Sequence, residues 1–553
     1  MLPRQTTSTN PVLKSHLARS RKTCLAIWYD CGHVFLLPQS VCQRKNRMVA
    51  SFIKKFKLTR TSFNAFLIIA LFGLDKFLAF VRTGIISRQY RDEVHLLDTF
   101  NAANNLPDVL FALISGGALA MAFIPLLTEY LTQKDRAAAW ELFSRVANLA
   151  FVVTGTIAII IAIFAEQIAS LVIAPGFSPE QLDLLADLMR LNLIGTIIFS
   201  ISGLVMASLQ ANQHFLMPGL APTAYNVGQI IGAIFLVPAF GIYGLVYGVI
   251  LGAAFHLLIQ VPALFVYGFR WTASLDLNNT GLGEALRLMW PRLLTMGGIQ
   301  AIVILRDNFA SQLQQDGAVT ALTYGWMVMQ VPETILGTAI ATAMLPTLSE
   351  LAARQDWKEF GETVERALRV LIALTLPVAA VMAAGIHPLV RGVFGFGEET
   401  SQLITWTTRA YLLTLTGFTI HEVAVRGFYA RKEPLLPLFA VLLRLFLFVL
   451  MGFAAITFFR SIGAPMIALA EISLLIEAIL LFFLLSSKTH APLRVGRPLV
   501  LGLLASLVGG ALSYVIAVYL PAGAITSALA GIAVGGLAAL AVVWSEARLI
   551  FKL

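Results

Sequence analysis

The stretch "AMAFIPLLTEYLTQKD" at residues 120–135 returns, altered but in register, as "ATAMLPTLSELAARQD" at 341–356. At this offset of 221, Pro125 meets Pro346, Glu129 meets Glu350, Asp135 meets Asp356 and Arg145 meets Arg366. A second block follows at an offset of 219: "APGFSPE" (174–180) meets "VFGFGEE" (393–399), Arg190 meets Arg409, Ala211 meets Ala430 and Pro218 meets Pro437. A register slip of two residues is what one loop deletion leaves behind. The chain is therefore built from two copies of one unit.

What the unit is follows from composition. The chain has 58% hydrophobic and 13% charged residues over 553 positions, and a mean hydropathy of +0.80. Soluble chains carry about a quarter charged residues. A spanning helix needs about 20 apolar residues, and the chain supplies stretches for about 14 transmembrane helices, making it an all-α polytopic membrane protein. Each repeat covers six spans. An even number gives both halves one orientation, so the expected architecture is two parallel six-helix lobes around a central cavity, as in alternating-access transporters, plus two C-terminal helices. The expected divisions are a basic tail (1–60), an N-lobe (61–268, spans 1–6), a C-lobe (284–486, spans 7–12) and an appended pair (494–548, spans 13–14).

Charge orients the chain. Residues 1–60 hold twelve Lys and Arg against the single acid Asp30, and the remainder sums to about zero. Loops after even-numbered spans carry Lys134 and Arg136, Arg270 and Arg287, Arg354 and Lys358, Arg431 and Lys432, then Lys488, Arg494 and Arg497. The positive-inside rule then puts both termini in the cytoplasm and explains the basic tail without nucleic acid. The cysteines Cys24, Cys31 and Cys42 all lie in the tail beside His16 and His33, with no C-x2-C pair, so no metal site is expected. Met48 opens "MVASFIKKFKLTRTSF", a natural start for a membrane protein, which makes residues 1–47 a candidate upstream extension.

Deep charges are costly and mark a cavity or a partner. Span 1 carries Asp75, Lys76 and Arg82; span 2 opens "LDTFNAANNLP", with Asp98, Asn101 and Asn105 on one stripe; span 7 carries Gln300, Arg306 and Asp307. Helical spacing places Arg306 and Asp307 about 100° apart, which predicts a separate partner for each. Convergent Lys76, Arg82 and Arg306 suit a diphosphate headgroup, with Asp98 paired to one of them until substrate competes. Arg444 in span 11 and Glu471 and Glu477 in span 12 are candidates for ion coupling, with pairing to neighbours the alternative. His421 and Glu422 are expected at the membrane interface, and Pro107, Pro332 and Pro377 predict kinks.

Enzyme signatures are missing: there is no G-x-x-x-x-G-K-[ST], H-E-x-x-H or G-x-S-x-G. No cofactor is expected, and energy must come from membrane potential, an ion gradient or substrate supply. One enzymatic alternative, a membrane glycosyltransferase using Asp92–Glu93, lacks the usual external domain.

The segments "LLDTFNAANNLPDVLFALISGGALAMAFIPLLTEY" (96–130), "APGF" (174–177), "APTAYN" (221–226), "GIYGLVYGVILGAAFHLLIQVP" (241–262) and "RGFYARKEPLLP" (426–437) resemble the MurJ (MviN) family of lipid II flippases, within the superfamily of MATE-like and oligosaccharidyl-lipid exporters. The resemblance spans roughly residues 60–550. It implies fourteen helices in two lobes, a cationic central cavity, a groove by the last two helices for a lipid tail, and a monomer in a bacterial inner membrane carrying a polyprenyl-linked lipid among the membrane lipids. Arg82 matches the family's arginine late in helix 1, Asp98 its helix-2 aspartate, and Lys76 stands where another arginine is common. Phe111 and Met327 (in "YGWM", 324–327) replace two family arginines, and Arg306 is expected to fill the place left at Met327. Export of another undecaprenyl-linked glycan, of O-antigen or capsule type, is the alternative these departures raise, with a MATE-type drug exporter behind it.

Overall fold

The computed structural model describes residues 60–552 except 117, 134, 276–281 and 490–492. The basic tail, with its cysteines and Met48, lies outside the described residues. Among those described, every regular element is helical. In chain order the helices are α1 (Arg60–Gln89), α2 (Val94–Ala103), α3 (Asn105–Leu110), α4 (Ala118–Gln133), α5 (Arg136–Ile163), α6 (Pro179–Ala211), α7 (Leu216–Phe240), α8 (Tyr243–Val266), α9 (Leu282–Ser311), α10 (Ala318–Ala353), α11 (Trp357–Phe394), α12 (Glu398–Ala430), α13 (Leu435–Phe458), α14 (Ala464–Lys488), α15 (Gly496–Tyr519) and α16 (Ala524–Ile550). Ten of them are long and apolar enough to cross a membrane: α5–α8, α10, α11 and α13–α16. The remaining expected spans correspond to α1, the broken run α2–α4, α9 and α12. These hold most of the deep charge.

The repeat is physical as well as textual, because the repeated residues are joints. Asp135 and Asp356 cap α5 and α11, accepting from Ala138 N at 2.7 Å and Glu359 N at 3.1 Å; a side-chain oxygen there satisfies a backbone donor that the helix start leaves open. Arg190 donates its Nε to Ala162 O at 3.1 Å, and Arg409 donates to Ala383 O at 2.8 Å. Each arginine thus ties its long helix (α6, α12) to the preceding one (α5, α11) at the same place in its half. Pro107 and Pro332 are each followed by a six-residue π-turn, Phe111–Gly116 and Glu333–Thr338, where the hydrogen-bond ladder slips by one residue. The kinks expected from those prolines are therefore wide turns, one per half.

Close packing needs small residues where no hydrophobic force draws helices together in lipid. In the C-terminal pair, α15 and α16 lie on each other and on α11. A Cβ on Gly509 would fall 2.7 Å from Gly535 O. Ser513 Oγ donates to Val381 O at 2.9 Å, and Arg369 grips Glu546 with two bonds of 2.9 and 3.0 Å. Replacing Gly535 with leucine is expected to force these helices apart. Overpacking of this kind costs about 1–3 kcal/mol, and thermal unfolding in detergent should report it as a lowered transition for Gly535→Leu and almost none for Gly536→Leu, whose Cβ position is open. The outer faces are apolar: Phe446, Phe453 and Phe458 on α13 are 65%, 58% and 76% exposed, which suits acyl chains as the surrounding medium.

Candidate functional site: a polar seam and a cavity

The two halves meet along a seam at one end of the bundle, where α1, α9 and α11 finish and α2 and α10 begin. Its centre is Asp98 on α2. The carboxylate accepts from Gly317 N and Thr320 N, both at 2.7 Å. The donors are the free N–H groups at the start of α10, and an anion there also meets the positive end of the helix dipole. Gly317 adopts φ +83°, the left-handed region, and a Cβ there would fall 2.9 Å from Val94 Cγ1; glycine is what allows α10 to present its N–H groups to the other half.

Two turns of the stripe complete the contact. Asn101 Nδ2 donates to Thr320 Oγ1 at 3.1 Å, and Asn105 Nδ2 donates to Asp307 Oδ2 at 2.8 Å. The opposite oxygen of Asp307 accepts Arg306 Nε at 2.7 Å. Neighbouring bonds extend the seam: Ser87 Oγ to Phe394 O at 2.7 Å, Arg88 Nη2 to Gly392 O at 2.8 Å, and Asn308 Nδ2 to Val172 O at 2.7 Å.

Two expectations change here. Arg306 and Asp307 were expected to take separate partners, yet they pair with each other. Adjacent Cβ atoms do diverge, but the three-carbon arginine stem folds back far enough to close the gap. Asp98 pairs with backbone N–H groups rather than with a cation. Arg306 is buried and reaches toward Thr323, one turn before Met327, whose sulfur is met by Thr83 Oγ1 at 3.7 Å.

Arg82 points elsewhere. It donates Nη1 to Gln229 Oε1 at 2.9 Å and Asn226 Oδ1 at 3.2 Å on α7, while Asn226 Nδ2 donates to Asp75 Oδ1 at 2.7 Å. Arg82, Asn226 and Asp75 line a cavity of about 340 Å³ inside the first half, with Asp108, Phe111, Tyr225 and His256. Lys76 is exposed and Arg306 is buried in the seam, so the predicted convergence of three cations on one cavity does not occur in this conformation. Gln300 is half-buried on α9, two turns before Asp307. Among the described residues no carboxylate lies within ion-pair range of Arg82; two amides hold its charge, with Asp75 and Asp108 further off in the same cavity. Phe111 stacks edge-on against Phe199 at 4.9 Å in the wall, an apolar surface where the resemblance implies an arginine.

Asp108, Gln229 and His256 were missed by sequence reasoning. Asp108 had a signal, a bare acid directly after Pro107 deep in an apolar run. His256 had less, being one histidine in a span; it is held by Ser202 Oγ at 2.6 Å. The acids Asp92 and Glu93 lie in the exposed turn between α1 and α2, with Asp92 paired to Arg91 at 3.1 Å.

In the second half, Arg444, Glu471 and Glu477 are buried, and so is His421, against its expected interfacial place. The helix α14 covers the face of α12 that carries it. Glu422 does remain near the surface, paired with Arg426.

A family model described as lipid II flippase MurJ matches residues 94–539. The chain belongs to the MurJ family. The lipid II flippase MurJ of Burkholderia cenocepacia is 27% identical over 421 residues, covering 73% of this chain and 81% of that protein. A probable MurJ of Rhizobium meliloti is 26% identical over 409 residues, covering 71% and 75%. Among solved structures, a MurJ in an inward closed conformation aligns with TM-score 0.72 at 20% identity, covering 86% of this chain and 98% of that one. An inward-facing MATE family multidrug transporter aligns with TM-score 0.65 at 14% identity. MurJ proteins are thus the family and MATE transporters the wider fold. The family is one of flippases, which sets aside the glycosyltransferase reading, and membership makes this a multi-pass membrane protein of the bacterial inner membrane with a polyprenyl-linked lipid as substrate.

Proposed function

We propose that this chain moves lipid II from the inner to the outer leaflet by alternating access, as a monomer with both termini in the cytoplasm. The observation that carries the reading is the Asp98 seam, a set of separable hydrogen bonds joining two repeat-related halves where α2 meets the start of α10 and the end of α9. With the charge-oriented topology, the seam faces away from the cytoplasm. In this reading the seam closes the outer exit, and breaking it opens that exit. Arg82 is the cation for the diphosphate: its present partners are neutral amides, and a phosphate oxygen makes a stronger, charge-assisted bond. Lys76, exposed on α1 next to Asp75, supplies a second positive charge. Asn101, Asn105, Asp307 and Arg306 act in the seam, and Asp75 orients Asn226.

The test is complementation. Wild type is expected to restore growth and rod shape to a strain depleted of its own lipid II flippase. Phe111 and Met327, in the places of two family arginines, favour a second reading in which the headgroup is a different undecaprenyl-linked glycan. Rescue of an O-antigen or capsule flippase mutant, with no rescue of the lipid II strain, would establish that reading.

A further inference from the structure

The second half encloses four ionisable side chains that the seam does not use. Arg444 on α13 donates Nη2 to Glu471 Oε2 on α14 at 2.7 Å, and its Nη1 stands 3.9 Å from Glu477 Oε2. His421 Nδ1 on α12 stands 3.4 Å from Glu477 Oε1. Relative exposures are 3% for Arg444, 4% for Glu471, 0% for Glu477 and 8% for His421. Neither Glu477 oxygen has a hydrogen bond, and His421 Nδ1 has none either.

Charge counting shows what is missing. Two carboxylates face one fixed cation. With both acids ionised and the imidazole neutral, the cluster would hold a surplus negative charge without solvent, which burial strongly disfavours. One more positive charge makes it neutral. A metal ion fits poorly, because the free carboxylate is already flanked by a guanidinium and an imidazole, and hard cations require six or more oxygen ligands. Among the described residues no group of three His, Cys, Asp or Glu is arranged to hold a metal.

We propose that His421 and Glu477 share one exchangeable proton, making this a proton-binding site of the second half. The proton sits on the 3.4 Å line between imidazole and carboxylate, and its presence leaves Arg444 with Glu471. Its loss leaves Glu477 charged and pulls Arg444 toward it. Of the other charged groups near the site, Glu422 and Arg426 on α12 hold each other, Glu333 on α10 lies beside them and accepts from Thr338 Oγ1 at 2.8 Å, and Tyr411 on α12 is a further neighbour. Tyr411 is fully buried and has Arg306, Asp307 and Glu471 as its charged surroundings. It therefore lies between the proton site and the seam, so the charge of the cluster is felt at the pair that Asn105 grips. This role in coupling rests on the transport reading above, while the site itself does not.

The experiment uses the purified full chain in lipid nanodiscs without substrate. Proton uptake is counted with an indicator dye across a step between about pH 8 and about pH 5, alongside infrared difference spectra of carboxyl and labelled-histidine bands. Wild type is expected to take up one more proton per chain than H421N/E477Q, with a buried carboxyl or imidazole signal that the double variant lacks and that sodium does not alter. Equal uptake in the two proteins, or a sodium-dependent signal, would overturn the proposal. Absence of any buried titrating signal in wild type alone would do the same, even if the variant failed to fold. Since no lipid II is present, failure here leaves the complementation result standing, and the reverse holds too.

Discussion

Arg82→Met should leave a folded protein that cannot support growth as the only lipid II flippase. Methionine keeps the unbranched stem, so the α1 packing survives, and the lost group is the charge. In the present state Arg82 bonds Asn226 and Gln229, two neutral amides that water can satisfy in its place. Its removal therefore costs the resting structure little. A charged hydrogen bond to substrate contributes roughly 1.5–3 kcal/mol, or about ten- to a hundredfold in transport. Arg82→Lys should retain part of the activity, because a point charge still meets a phosphate but cannot grip it bidentately. Growth and whole-cell levels of lipid II read both outcomes. Normal growth of Arg82→Met would remove this residue from the substrate path.

Asp98→Ala should act in the opposite place, on the equilibrium between states. Two donors, Gly317 N and Thr320 N, each lose a 2.7 Å partner. Unpaired buried donors cost about 1–3 kcal/mol apiece, so the closed seam should lose roughly 2 kcal/mol or more, about thirtyfold in population. A cysteine at Ala318, 1% exposed at the start of α10, reports on opening when the tail cysteines Cys24, Cys31 and Cys42 are replaced by serine. A membrane-impermeant thiol reagent added to whole cells should label it about thirtyfold faster in the Asp98→Ala background than in wild type. Equal labelling rates would mean that Asp98 does not hold the seam.

Much of this could be read from the chain, and the rest failed for identifiable reasons. The repeat was legible because Asp135, Asp356, Arg190 and Arg409 are joints whose geometry demands those residue types in each half. The stripe of Asp98, Asn101 and Asn105 was legible as one face of a helix, since helical periodicity fixes which side chains align; that the face turns to the other half was not. The partners of Asp98 were not legible: they are backbone N–H groups, presented by the positive φ of Gly317, and backbone donors leave no mark in a residue string. The Arg306–Asp307 pairing was misread because Cβ directions say little about where a long stem ends. Arg82 was assigned to a common central site because sequence shows that a charge is deep but not which of two spaces it enters. Asn226, already inside the quoted "APTAYN", decides that question by its contact. His421 was misplaced because burial of a helix end depends on a helix fifty residues later.

The central claim is that this chain carries lipid II across the membrane, and it is tested most directly by following lipid II itself. In cells depleted of their own flippase and expressing this chain, an externally added enzyme that cleaves lipid II should consume the labelled lipid at a rate restored by wild type. Arg82→Met at equal abundance in the membrane should restore about a tenth to a hundredth of that rate. Protection of lipid II from the external enzyme in cells expressing the wild-type chain would contradict the account.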